Sequence, residues 1–156
     1  IVALVRGSAI AGGAGLAGAC DLVLAAEDAV FGYPEVHLGF VPAMVMALLR
    51  RSVGEKQAFE LVARGNRISA IEAQRLGLVN RVYENAEFEQ EARAFVSDLA
   101  QRSASALLLT KRLLYGMDGM SFDEAIARGA EVNALARMTD DCRAGVRRFL
   151  DRQKPS

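Results

Sequence analysis

Two apolar runs, IVALV (residues 1–5) and DLVLAAE (21–27), enclose RGSAIAGGAGLAGACD (6–21), in which most residues are Gly, Ala or Ser. Small side chains let one stretch of backbone come close to another, and a Gly-Gly pair at Gly12 and Gly13 gives the freedom to turn sharply. The expected order is therefore strand, glycine turn, short tightly packed helix, strand. Residues 1–5 show no alternation of polar and apolar side chains, the pattern of a strand buried on both faces, and a parallel sheet is its natural setting.

AVFGY (29–33) reads as a further short strand, after which Pro34 forces an extended turn and leaves Glu35 on a loop among apolar neighbours. Such surroundings can raise a carboxyl pKa and suit it to proton transfer near neutral pH. Asp21 and Asp28 flank a strand and serve turns. His37, the sole histidine, lies close enough to Glu35 to be weighed as a second acid/base, but a lone loop histidine is read as structural or solvated. From Pro42 the period changes. Met44, Leu48 and Leu49 recur at helical spacing, Pro42 fits a first helical turn, and Arg50 and Arg51 close the helix over 42–52 where cations complement its dipole. EKQAFELVAR follows Gly54 and stops at Gly65. Ser69 with Glu72 forms a capping box for a helix running to Gly77. LVNRVY (78–83) returns as a strand, and helical periodicity fills 86–101, 103–116, 121–138 and 140–152. The architecture is α/β followed by helices, with no repeat or linker that would mark a second independent domain.

A chain of 156 residues with 52% hydrophobic content can bury one sizeable core. Its 19 basic and 19 acidic residues cancel, so there is no large field of one sign to attract nucleic acid or an anionic membrane, and an anionic ligand needs a local cluster. Cys20 and Cys142 are far apart and form no CxxC pair, which points to reduced thiols in a cytoplasmic compartment and gives no metal site. No apolar run reaches the roughly 20 residues of a membrane span. An apolar strand at residue 1, without Met or the polar residues that usually fray at a terminus, leads to the expectation that an N-terminal portion is missing.

The glycine turn with Cys20-Asp21, FGYPE (31–35), LGFVP (38–42) and ISAIEAQRLGLVNRVY (68–83) agree in order and spacing with the crotonase (enoyl-CoA hydratase/isomerase) superfamily. The resemblance runs over essentially the whole chain. It implies a crotonase-like ββα spiral core, of which residues 1–83 are the C-terminal part, with 84–156 as a helical oligomerisation region of the same unit. It further implies an acyl-CoA thioester substrate, no cofactor beyond the coenzyme A carried by that substrate, and homotrimers or dimers of trimers. Glu35 matches the family's catalytic acid/base, and the Gly12 N–H matches one donor of its oxyanion hole, the other donor lying on an earlier loop. Gly13, Gly15 and Pro34 fall at substrate-binding positions, and Phe149 and Arg152 match an aromatic and a basic residue that the family directs at a neighbouring subunit's coenzyme A, although Arg147, Arg148, Arg152 and Lys154 also suit an ordinary basic last turn. Gly15 departs from the pattern. Hydratases with two glutamates carry the first of them there, so the resemblance implies a single-glutamate member: a hydratase, an isomerase, or a non-catalytic acyl-CoA binder. The Met and Leu stripe over 107–120 is expected in a core or subunit interface rather than a substrate tunnel.

Overall fold

Strand β3 (Leu22–Ala26) contributes side chains to both core clusters. The computed structural model describes residues 1–152 and divides the chain into two compact units, Ile1–Val96 and a second beginning at Ser97. In the first unit β3 is the central strand of a parallel sheet, between β1 (Val2–Val5) and β6 (Arg81–Tyr83), with Leu4 opposite Leu24 and Ala25 opposite Val82. Side chains alternate across a strand. Accordingly Val23 and Ala25 enter the main core cluster, whereas Leu24 and Ala26 enter a second one with Phe88 and Ala92 of helix α5 (Phe88–Ala100). β3 is thus buried on both faces. In this three-stranded sheet β1 pairs with β3 alone, and Leu4 is 48% exposed. The same packing carries the first unit past Tyr83, because Phe88 and Ala92 cover the second face of β3.

A second small sheet runs β2 (Ser8–Ile10), β4 (Val30–Gly32), β5 (Arg67–Ser69). β4 is parallel to β2 and antiparallel to β5. Gly7, at φ 64°, turns the chain from one sheet into the other. β2 and β5 lie in segments read as glycine turn and helix approach. Each is a three-residue strand defined by its partner rather than by its own periodicity.

Helix α1 (Gly12–Gly18) starts at Gly12, two residues earlier than the sequence suggests, and packs against α2 (Ala43–Ser52). Pro42 is the N-cap of α2 and not its first residue. The inward face of α2 is carried by Val45, Leu48 and Leu49, while Met44 is 86% exposed. Helix α3 (Glu55–Arg64) ends at Gly65 with φ 61°, the left-handed cap its sequence implies. Helix α4 (Ala70–Leu76) ends at Gly77, where a Cβ would lie 2.8 Å from the Ser52 carbonyl. Only half of the expected capping box is present on α4. The Glu72 amide donates to Ser69 Oγ at 3.2 Å, but the Glu72 carboxylate is held by Arg75 at 2.7 and 2.6 Å and so does not reach back. After α4 the strand is shorter than 78–83, because Leu78 and Val79 donate to the Ala73 carbonyl and bury in the turn. Asn80 then clamps β3: its side-chain oxygen accepts from Val23 N at 2.7 Å and its amide donates to the Val23 carbonyl at 2.8 Å.

The second unit contains α6 (Ala104–Gly116), α7 (Phe122–Arg137) and α8 (Asp140–Arg152). α7 carries the complete capping box, Ser121 with Glu124. Asp141 Oδ2 accepts from Ser103 Oγ at 2.7 Å, Ser105 Oγ at 2.8 Å and Ser105 N at 3.2 Å, tying the start of α6 to α8. These bonds hold the Asp141 carboxyl below its usual range. The apolar stripe does not form a core within this unit: Leu107 is 41%, Leu108 49% and Leu114 61% exposed.

Leu24 is fully buried between α5 and the neighbouring strands. Leu24→Ala should lower the unfolding free energy by about 3 kcal/mol, measured by urea denaturation.

Candidate active site

Glu35 is placed by backbone constraints on each side of it. Pro34 begins a 3-10 turn, Pro34–Leu38, rather than an open loop, and Tyr33 before it, at φ −129° and ψ 71°, stays out of the α region that a following proline disfavours. Gly39 closes the turn at φ 73°, its amide donating to Val36 O at 3.1 Å, and the Phe40 amide donates to Glu35 O at 3.0 Å. His37 fixes the turn from outside: its Nε2 donates to the Gly65 carbonyl at 3.3 Å, at the C-terminal end of α3.

The side chain of Glu35 is half-buried, and its Oε2 is buried with no hydrogen-bond partner. A buried carboxylate oxygen without a partner costs free energy, so such atoms call for a chemical explanation. Tyr33 lies beside it in the chain and is 3% exposed. Burial, and then the charge of Glu35, push the Tyr33 phenol up to about 12. The Glu35 carboxylate is therefore felt in a region poor in water.

The second component is backbone. The amide of Ala11, the N-cap of α1, donates to Gly32 O at 2.9 Å, so the end of β4, three residues before Glu35, is tied to the start of α1. Ala11 adopts φ 53° and ψ −119°, a conformation L-residues rarely take. The first i to i−4 bond of α1 is Gly15 N to Ala11 O at 3.0 Å. The amides of Gly12, Gly13 and Ala14 precede it and have no carbonyl partner within the helix. Gly12 and Gly13 are exposed, and a Cβ on either would meet no atom within 4 Å. Close packing is thus not what requires glycine at these two positions; their backbone is open to approach. At Gly15 the reverse holds. It is buried, and a Cβ there would lie 2.7 Å from Val45 Cγ2.

Of the sequence-derived candidates, Gly12, Gly13, Gly15, Pro34 and Glu35 lie in the first unit, where the Ala11 to Gly32 bond joins their two segments. Phe149 and Arg152 lie on α8 in the second unit, both exposed, and Lys154 is outside the described residues. Tyr33 and Val45 were not singled out from sequence. The helical spacing of α2 is the signal that could have found Val45, had its phase been set by Leu49 instead of Met44. A separate cleft of about 330 Å³ between α3, β5 and α4, lined by Glu60, Arg64, Arg67, Glu72 and Arg75, includes neither Glu35 nor α1. Its Glu60–Arg64 and Glu72–Arg75 charges pair with each other.

The sequence profile of the enoyl-CoA hydratase/isomerase family matches residues 1–156. A protein of Thermus thermophilus assigned as an enoyl-CoA hydratase is 44% identical over 154 residues, covering 99% of this chain and 61% of its own length. The 2,3-dehydroadipyl-CoA hydratase of Escherichia coli is 34% identical over 156 residues, with 99% and 61% covered. The crystal structure of enoyl-CoA hydratase from Mycobacterium smegmatis superimposes with a TM-score of 0.92 at 33% identity, covering 99% of this chain and 60% of that one. The chain thus spans about three fifths of the length of these relatives. The expected fold, a crotonase-like α/β core with helices after it, is the one observed.

In an ultraviolet titration Tyr33 should ionise at about 12, against about 10 in the unfolded chain. Because the folded value is the higher, stability is complete below pH ~10 and falls as pH rises through that window. Tyr33→Phe should remove the late transition, and Glu35→Gln should move it partway toward 10.

Proposed function

Because the chain belongs to the enoyl-CoA hydratase/isomerase family, we propose that the protein acts on acyl-CoA thioesters as an enoyl-CoA hydratase, with Glu35 as its acid/base. The observation that carries this reading is the buried, unpartnered Oε2 of Glu35. A buried carboxylate oxygen without a partner calls for an explanation, and a proton-transfer role toward a bound substrate supplies one.

In the proposed reaction Glu35 takes a proton from water as its oxygen bonds to the β-carbon of the 2-enoyl thioester. The α,β double bond becomes an enolate, with the charge on the thioester oxygen. Glu35 then returns the proton to the α-carbon. The Gly12 N–H, at the open first turn of α1, is proposed as one donor to that oxygen. Losing a donor of this kind typically costs about 100- to 1,000-fold in rate. Gly13, Gly15 and Pro34 border the acyl group in this reading, and Phe149 and Arg152 reach toward the coenzyme A bound by a neighbouring subunit. No cofactor is required, since coenzyme A enters as part of the substrate. Free Cys20 and Cys142 support a cytoplasmic setting, and among the described residues no helix is long and apolar enough to cross a membrane.

Isomerisation is the second reading, favoured by Gly15. One carboxylate suffices to move a proton from the α-carbon of a 3-enoyl thioester to its γ-carbon. With the full-length protein, loss of the conjugated 2-enoyl absorbance reports hydration and its gain from a 3-enoyl substrate reports isomerisation. Glu35→Gln should lower turnover by about 100- to 10,000-fold; an unchanged rate would remove Glu35 from the mechanism. Thioester binding in calorimetry without turnover in either direction would identify a non-catalytic acyl-CoA binder.

The exposed apolar residues of α6 to α8, among them Leu114, Phe122, Ile126 and Phe149, support a further proposal of homotrimers or dimers of trimers. Light scattering should give a mass three or six times that of the full-length subunit, and a monomer would refute it.

A further inference from the structure

We infer that Val45 is a specificity-determining residue: its Cγ2 methyl occupies the place that any side chain on residue 15 would take, and it thereby holds the site to a single carboxylate. The inference rests on the reading of Glu35 and the first turn of α1 as the thioester site.

The steric relation is specific to this pair. A Cβ on Gly15 would fall 2.7 Å from Val45 Cγ2 and 3.7 Å from both Cβ and Cγ1 of the same side chain, whereas Gly12 and Gly13 on the same helix have no neighbour within 4 Å. Carbon atoms are comfortable at about 3.5–4.0 Å. Relief by rotation is restricted, because valine in a helix has one strongly favoured χ1 rotamer, and Val45 is half-buried and packed against the main core cluster. Glycine at 15 is therefore demanded by the residue that α2 presents to α1, independently of the turn at Gly12 and Gly13.

The chemical consequence follows from position. Residue 15 is one helical turn beyond Ala11, to whose carbonyl its amide is bonded, and a carboxylate there would be the second proton-transfer group of the site. Val45 places a methyl group at that point instead. Glu35 must then both accept and return the proton, beside an apolar wall. Val45→Ala would remove Cγ2 and leave only the Cβ, at an ordinary 3.7 Å. The block is thus removable by one substitution on a different helix from the one it acts on.

The test is a double-mutant cycle on the full-length protein. Gly15→Ala alone should lower the melting temperature by roughly 3–8 °C. In a Val45→Ala background the same change should cost far less, so that the shifts fail to add. Gly15→Glu combined with Val45→Ala should then add a second ionisation to the pH profile of kcat/KM that the wild type lacks. Additive melting shifts would overturn the steric claim. A profile superposing on that of the wild type would overturn the claim that residue 15 faces the reacting carbons. Full turnover by Glu35→Gln would remove the reading on which the inference rests, and would leave the melting result unaffected.

Discussion

The burial of β3 on both faces is the constraint from which the arrangement of the first unit follows. A strand covered on both sides must send alternate residues into two separate cores, and it does: Val23 and Ala25 to one, Leu24 and Ala26 to the other. The first core needs small, closely packed partners, which α1 supplies through Ala14 and Ala17, and α4 through Ala70 and Ala73. The second needs a large side chain, which is Phe88. Parallel pairing on both edges with β1 and β6 then fixes the register, and Asn80 secures it with bonds from side chain and backbone to Val23.

The site inherits its geometry from the second sheet. β4 pairs with β2, and the Ala11 to Gly32 bond continues that pairing into the first turn of α1. Everything after Gly32 is then short and constrained: Tyr33 kept from the α region by the proline after it, a ring-locked Pro34, and a 3-10 turn fastened by His37 to α3. A carboxylate oxygen can remain buried and unpartnered only where the chain lacks the freedom to move it to water. The candidate acid/base and the candidate anion donors thus belong to one framework of backbone bonds.

Much of this was legible in the sequence because it depends on local rules. Pro34, the left-handed glycines at 65 and 77, and the helical periods after residue 42 each act within a few residues. What was not legible depends on partners distant in the chain. β2 and β5 are too short to carry a period of their own, and their identity comes from β4. For Gly15 the sequence showed a missing carboxylate, while the reason for its absence sits thirty residues on, at Val45. The half-formed capping box of α4 failed through competition: Arg75, one turn along, offers Glu72 a charge-assisted bond in place of a neutral one.

Ala11 shows what such pre-organisation costs. With φ 53° it occupies backbone space that glycine enters freely and alanine does not, and it is held there by bonds on both of its peptide groups, to Gly32 and to Gly15. Glycine at this position would relax the native state and also enlarge the set of conformations open to the unfolded chain. The methyl group of Ala11 thus acts as a stiffener: it narrows the ways in which β2 can lead into α1, so that the direction of the first helical amides is set before any ligand arrives.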